Sequence, residues 1–505
     1  MRRPRGMASN AAITAVTQIA SMGLGAAIAL VILLRFGKDT ETDGLFAAYG
    51  VYGVVVVIAQ SFRTTIVARL VEGRSLFAAL DRHLGAIGVL FLAAAVPLVA
   101  LAQPVAHLLV GQLGTTAVHA ARTALLILWF AAGAQLASAL LAAALAVRDE
   151  FALPGAAYVA GGLVAIVALL ALAPLIGIQA VSLALCLGAA TTAFLMFARL
   201  VRIGYRPSLA GLVPDRASVA RAALLIWAAV GAIAAQVAFV VTVGFAARLG
   251  EGSPTLYTYA NFLFILFLAA TAGSMTIVLA PHVAETWDGR PESLRAPMLE
   301  VFRAGLVLAA PLVGVVAVAG EAAAGLALDA HDAREVVDVF LMLSGGLVWA
   351  IAMPVVLVAM YASGRYGAVA AVAVWGVALQ FGLCAAVLGL HSLLALAAAS
   401  LVDGLVGATV MLALTFGSGV RAVLAMLGRE LALVAAVALL AFGPAVALGL
   451  VGGRVVQPVA ALLGLGVFLA LGPRALPRHW ELAQRVLAPL SERLRGGAAG
   501  AEARS

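Results

Sequence analysis

The sequence predicts an all-α polytopic membrane protein with about fourteen transmembrane helices and no soluble domain. Three observations carry that prediction. Apolar stretches of spanning length follow one another through most of the 505 residues, and about 20 mostly apolar residues cross a hydrocarbon core of roughly 30 Å as a helix. The chain is 64% hydrophobic and only 11% charged, against roughly 25% charged in soluble domains. Lys and Arg gather on alternate connections, the pattern left when short cytoplasmic loops retain positive charge.

The spans are read in order at 11–34, 44–68, 84–102, 123–147, 153–172, 177–197 and 222–246, then at 256–280, 302–320, 336–361, 368–390, 393–416, 431–450 and 455–471. The first follows a basic stretch, as a signal peptide would. It is too long for a signal core and lacks a small-residue cleavage site, so it is kept as a helix. With the N-terminus inside, 24 of the 31 Lys and Arg residues fall on inside segments and 6 on outside ones, and Arg63 lies within a span. One missed span would swap every later loop. Both termini are therefore expected in the cytoplasm, the chain crossing the inner membrane an even number of times, and the single Lys38 against thirty Arg, with heavy Ala, Val, Gly and Leu usage, suggests a GC-rich bacterial genome.

The chain also repeats. Leu45-Phe46-Ala47-Ala48-Tyr49 resembles Leu256-Tyr257-Thr258-Tyr259-Ala260, and Thr65-Ile66-Val67 matches Thr276-Ile277-Val278 at the same offset of 211 residues. Span 4, ending in Arg148, overlays span 10, ending in Arg365. Two parallel six-helix lobes are expected, spans 1–6 within 1–198 and spans 7–12 within 222–416. A five-Arg cytoplasmic linker, 199–221, joins them. Spans 13 and 14 occupy 417–473. The tail 474–505 alternates Trp480, Leu482, Val486 and Leu487 with Arg478, Glu481 and Arg485, an amphipathic pattern suited to the cytoplasmic leaflet.

The sequence also excludes function classes. No G-x-x-x-x-G-K-[ST] is present, so no ATP hydrolysis is expected. The seven His are scattered without ligand spacing, and Cys186 and Cys384 lie inside spans, so neither a metal site nor a disulfide framework is expected. No Ser/His/Asp set marks a hydrolase. The net charge of +8 follows from the inside bias and contact with anionic lipid, and nucleic acid is not an expected partner. Transport, channel formation or scaffolding remain, without enzymatic activity and without a cofactor.

Gly37-Lys38-Asp39-Thr40-Glu41-Thr42-Asp43-Gly44-Leu45-Phe46, closing span 1 and opening span 2, resembles a family pattern in which a glycine-led loop ends in Thr-Asp before an aromatic. Leu256 to Asn261, running on to Thr276-Ile277-Val278-Leu279-Ala280-Pro281, looks like span 8 of the same family. With a six-plus-six-plus-two arrangement, the chain resembles the MurJ/MviN-type lipid II flippases of the multidrug/oligosaccharidyl-lipid/polysaccharide exporter superfamily, as a divergent member. The resemblance implies export of lipid-linked cell-envelope precursors, lipid II-like or another polyprenyl-linked glycan, by alternating access in the plasma membrane. It also implies membrane lipids and envelope-synthesis or division proteins as partners. Two alternatives stand beside it: a cation-coupled drug or metabolite antiporter of the superfamily, and a non-transporting scaffold for envelope synthesis. Where the family carries cavity arginines, this chain has Met22 and Ile28 in span 1, Val54 and Val55 in span 2, and Phe262 in span 8 beside Asn261.

Polar groups inside spans are functional candidates, because a charge at mid-bilayer costs about 2.5–3.5 kcal/mol on insertion scales. Arg63, with Gln60 and Thr64, is a candidate phosphate contact, set against a reading in which it snorkels to the interface. Gln18, Asn261 and Ser274 are candidate cavity-lining groups, set against interhelical hydrogen bonding. Asp403 lies too deep to snorkel. The resemblance suggests a proton or sodium site in the C-terminal lobe, where spans 7, 11 and 12 supply Gln236, Gln380 and Asp403.

Overall fold

The computed structural model describes residues 7–72, 76–148, 150, 152–208, 212–216, 218–220, 229–269, 271 and 289–484. Side chains are described for all of these except 7–16, 18, 19, 22, 26, 60–72 and 362. The described residues contain no strand. Helix follows helix: α1 (Met7–Phe36), α2 (Thr40–Glu72), α3 (Leu76–Val110), α4 (Thr115–Val147), α5 (Ala152–Ile176), α6 (Gln179–Arg202), α7 (Val230–Ala246) and α8 (Ser253–Leu268). Then come α9 (Arg295–Ala324), α10 (Ala330–Ser344), α11 (Leu347–Ala362), α12 (Tyr366–Val387), α13 (Leu393–Phe416), α14 (Val420–Ala475) and the short α15 (477–484). Helix forms most of every expected span where the chain is described.

Helices overrun the expected spans at their polar ends. α3 has 35 residues where apolar content alone marks 84–102. A backbone that satisfies its own hydrogen bonds in lipid has no reason to stop at the interface. One expected span is built differently. Span 10 is interrupted at Gly345-Gly346, which separates α10 from α11. Spans 13 and 14 form one run broken at Gly453, whose φ of 68° only glycine adopts freely. After that break the chain folds back, and the Phe442 and Phe468 rings lie 6.1 Å apart. A single 3₁₀ turn at Pro291–Leu294 leads directly into α9.

The chain divides into two compact units, one formed by 1–258 with 373–391 and the other by 259–372 with 392–505. In the first, Leu80, Leu140, Leu145, Met196, Leu200 and Tyr205 are buried together. Helices approach closely where side chains are small: a Cβ on Gly161 would lie 2.5 Å from the Gly188 carbonyl oxygen, and one on Gly44 2.3 Å from that of Ala117. In the second unit, Phe442 fills the space left by Gly314 and Gly464. Large apolar side chains are exposed along α3 (Leu92, Val96), α5 (Val167, Leu170) and α14 (Leu439, Leu462). These faces suit acyl chains rather than water.

Candidate functional site

The densest polar construction in the first unit lies at the α1–α2 turn. Asp39 opens α2: its Oδ1 accepts from the Thr42 amide at 2.7 Å and the Thr42 hydroxyl at 2.8 Å. That bonding satisfies helix-start donors that would otherwise be unpaired. One turn later Asp43 is fully buried, and its carboxylate serves a different helix. Oδ2 accepts from the Gly252 amide at 2.7 Å. Oδ1 accepts from the Thr255 amide at 3.0 Å and from the Thr255 hydroxyl at 2.6 Å. Asp43 thus caps α8 from across the bundle, where a carboxylate complements the positive end of the helix. Beside it, the Thr40 amide and hydroxyl donate to Glu251 Oε1 at 3.2 and 2.7 Å. The Lys38 side chain lies over Gly252, whose φ is +84°.

The seam continues down α2 and α7. A Cβ on Gly53 would lie 2.5 Å from Gln236 Nε2, and one on Gly50 would lie 3.1 Å from Val240 and 3.4 Å from Phe239. The two glycines leave a notch that α7 fills, and Gln236 Nε2 donates to the Gly50 carbonyl at 3.3 Å. Deeper in the unit, Gln380 of α12 donates to the Thr242 hydroxyl at 2.8 Å and lies 3.2 Å from Cys384 Sγ.

At the far end of the unit, Asp81 of α3 holds the start of the connection after α6. It accepts from the Tyr205 hydroxyl and, at 3.3 Å, from the Ser208 amide. Burial and the neighbouring carboxylate raise the Tyr205 hydroxyl above its ordinary titration range, so it stays a donor at all physiological pH. Tyr205 is wedged between Phe77 and Phe197. Leu212 presses its carbonyl against Gly85.

The expected site residues are placed as follows. Gln236 and Gln380 both belong to the first unit, each with the partners named above. Asp403 lies on α13 in the second unit, and its Oδ1 is buried without a hydrogen-bond partner. Asn261 is buried on α8, with Phe262 half-buried beside it. The side chains of Gln18, Gln60, Arg63 and Thr64, and all of Ser274, lie outside the described residues. Among the described residues, ligand atoms of His331, Asp332 and Glu335 come within 4.8 Å of one another at the start of α10. The helix N-terminus itself favours acids there, and Asp329 caps it by accepting from the Asp332 amide.

A family model described as the lipid II flippase MurJ matches residues 72–457. The chain belongs to the MurJ lipid II flippase family. Solved structures agree on the fold. A lipid II flippase MurJ in an inward closed conformation has a TM-score of 0.73 at 14% identity, covering 92% of this chain and 99% of its own. A multidrug resistance MATE transporter in an inward-facing conformation has a TM-score of 0.61 at 15% identity, covering 79% of this chain and 98% of its own. A transporter of the MOP superfamily from Pyrococcus furiosus has a TM-score of 0.58 at 15% identity, covering 84% of this chain and 97% of its own. A search of curated proteins finds no match. Against this MurJ-type fold, sequence reasoning missed Glu251 and Thr255 entirely and read Asp43 only as part of a loop pattern. The missed signal was the repeat: Thr40 and Glu251, which bond each other, are separated by the repeat offset of 211 residues.

Proposed function

We propose that the chain moves a lipid-linked cell-envelope precursor across the plasma membrane by alternating access, with the α2–α7 seam closing the outer side in the form described here. Membership of the MurJ family supports the substrate class. The observation that carries the mechanism is the buried Asp43 carboxylate, which accepts three hydrogen bonds from the start of α8. The distribution of Arg supports a reading in which this end faces outside and both termini lie in the cytoplasm.

A shut outer seam leaves access from the cytoplasm, where lipid-linked precursors are made. Opening it requires the Asp43, Thr40 and Gln236 bonds to be exchanged for water or substrate. Arg63 is the basic side chain within a span and is our proposed contact for the substrate phosphate, since Ile28, Val54, Val55 and Phe262 offer that group nothing. Asp403 is our proposed coupling group, taking up a proton or a sodium ion, because its buried oxygen lacks a donor.

The test is depletion of the protein in its host, followed by extraction and analysis of lipid-linked intermediates. The expected result is accumulation of a polyprenyl-linked glycan on the cytoplasmic side. Growth arrest without accumulation of any such lipid would refute the reading.

A further inference from the structure

The second unit carries a buried charge cluster that the transport reading does not use. Arg303 of α9 donates through Nη2 to Glu430 Oε1 of α14 at 2.7 Å. The other oxygen of Glu430 lies 2.9 Å from Nε2 of His479 on α15. All three side chains are shielded, with exposures of 18%, 8% and 6% for Arg303, Glu430 and His479. Around them α15 is fitted to the unit. His479 and Ala483 form its buried face, with Leu476 buried just before it. The Trp480 ring sits where Gly472 has no side chain, 2.8 Å from the position a Cβ would take. Arg478 and Glu481 face outward.

We propose that α15 is a latch, docked on the second unit while His479 is neutral and released when His479 is protonated. The donors already outnumber the acceptors. One carboxylate serves the Arg303 guanidinium, and Arg303 Nε is buried with no acceptor. A proton on His479 adds a second cation to a site that cannot match the first. The groups facing the imidazole are Arg303 from α9 and Glu430 from α14, with Arg429 adjacent. Burial pushes the His479 imidazole below its ordinary range, Glu430 pulls the other way, and Arg303 sides with burial. Docking therefore lowers proton affinity, and by linkage acid favours the undocked helix. The docked form is fully favoured above the ordinary histidine range and weakens as pH falls through it.

The test uses the full chain in nanodiscs. Ala483→Cys places a thiol on the buried face and Gln484→Cys one on the exposed face. Maleimide labelling at each site is read by mass spectrometry, and the ratio of the two rates removes the reagent's own pH dependence. Between about pH 7.5 and about pH 5.5 the ratio should rise about tenfold for each unit by which docking lowers the histidine pKa. In a His479→Gln background it should stay low and flat. Arg303→Gln, which removes the competing cation, should reduce the rise. A flat or falling ratio with His479 present, a rise that persists in His479→Gln, or a rise untouched by Arg303→Gln would each overturn the proposal.

Discussion

Replacing Asp43 by Asn keeps the size of the side chain but removes the charge and one acceptor from the seam. The native carboxylate accepts from Gly252, Thr255 and the Thr255 hydroxyl. Hydrogen bonds to a charged group contribute about 1.5–3 kcal/mol each, and a buried donor left unpaired costs about 1–3 kcal/mol. In Asp43→Asn the amide oxygen can replace one carboxylate oxygen. The amide nitrogen then faces either the Gly252 N–H or the Thr255 pair, donor against donor. In the open form the same groups face water, so the loss falls almost wholly on the closed seam. A net bias of about 2–3 kcal/mol toward opening follows, a shift of roughly 30–150-fold in the equilibrium. An open form populated at about 1% would become comparable to or more populated than the closed one. The assay is a thiol at Val240, which packs against Gly50 within the seam. In intact cells, a membrane-impermeant maleimide should label Val240→Cys many times faster in the Asp43→Asn background, with transport reduced. Unchanged labelling and normal transport would show that these bonds do not hold the seam shut.

Three further outcomes test the rest of the reading. Arg63→Ala should abolish precursor export in a protein that still accumulates in the membrane, with Arg63→Lys partly active; full activity of Arg63→Ala, measured by complementation of a depleted strain, would return the residue to a snorkelling role. Asp403→Asn should leave a folded, inserted protein whose transport no longer responds to pH or sodium, and a normal response in proteoliposomes would place coupling elsewhere. Tyr205→Phe removes the hydroxyl bonded to Asp81 and should cost about 1–3 kcal/mol, seen as a lower unfolding midpoint in detergent; an unchanged midpoint would mean that the connection after α6 is held by Gly85 and its aromatic neighbours alone.

The spans were legible because hydrocarbon thickness leaves few solutions: about 20 apolar residues in lipid have to form a helix. The breaks within them were harder to read. A Cβ on Gly345 would lie 3.1 Å from Leu401, so the helices pack closely there, but Gly345 and Gly346 also end α10. Composition cannot separate those roles, since both ask for the smallest residue. The site was less legible for a related reason. Asp43, Glu430 and His479 lie near span ends, where sequence reasoning treats an ionisable group as solvated at the interface. What makes each of them matter is a partner far away in sequence: Gly252 and Thr255 for Asp43, Arg303 for Glu430. Asp403 was visible because it has no such excuse, lying mid-span where its charge is costly wherever its neighbours are. The tail shows the limit most clearly. Its pattern of Trp480 and Leu482 against Arg478 and Glu481 describes a helix seeking any apolar surface, and a lipid leaflet is the default. The face that docks runs through Leu476, His479 and Ala483, with Trp480 packed against Gly472. A polar residue at the centre of a buried stripe makes sense only once a carboxylate is waiting opposite it, and that carboxylate is held by Arg303, a side chain from yet another helix.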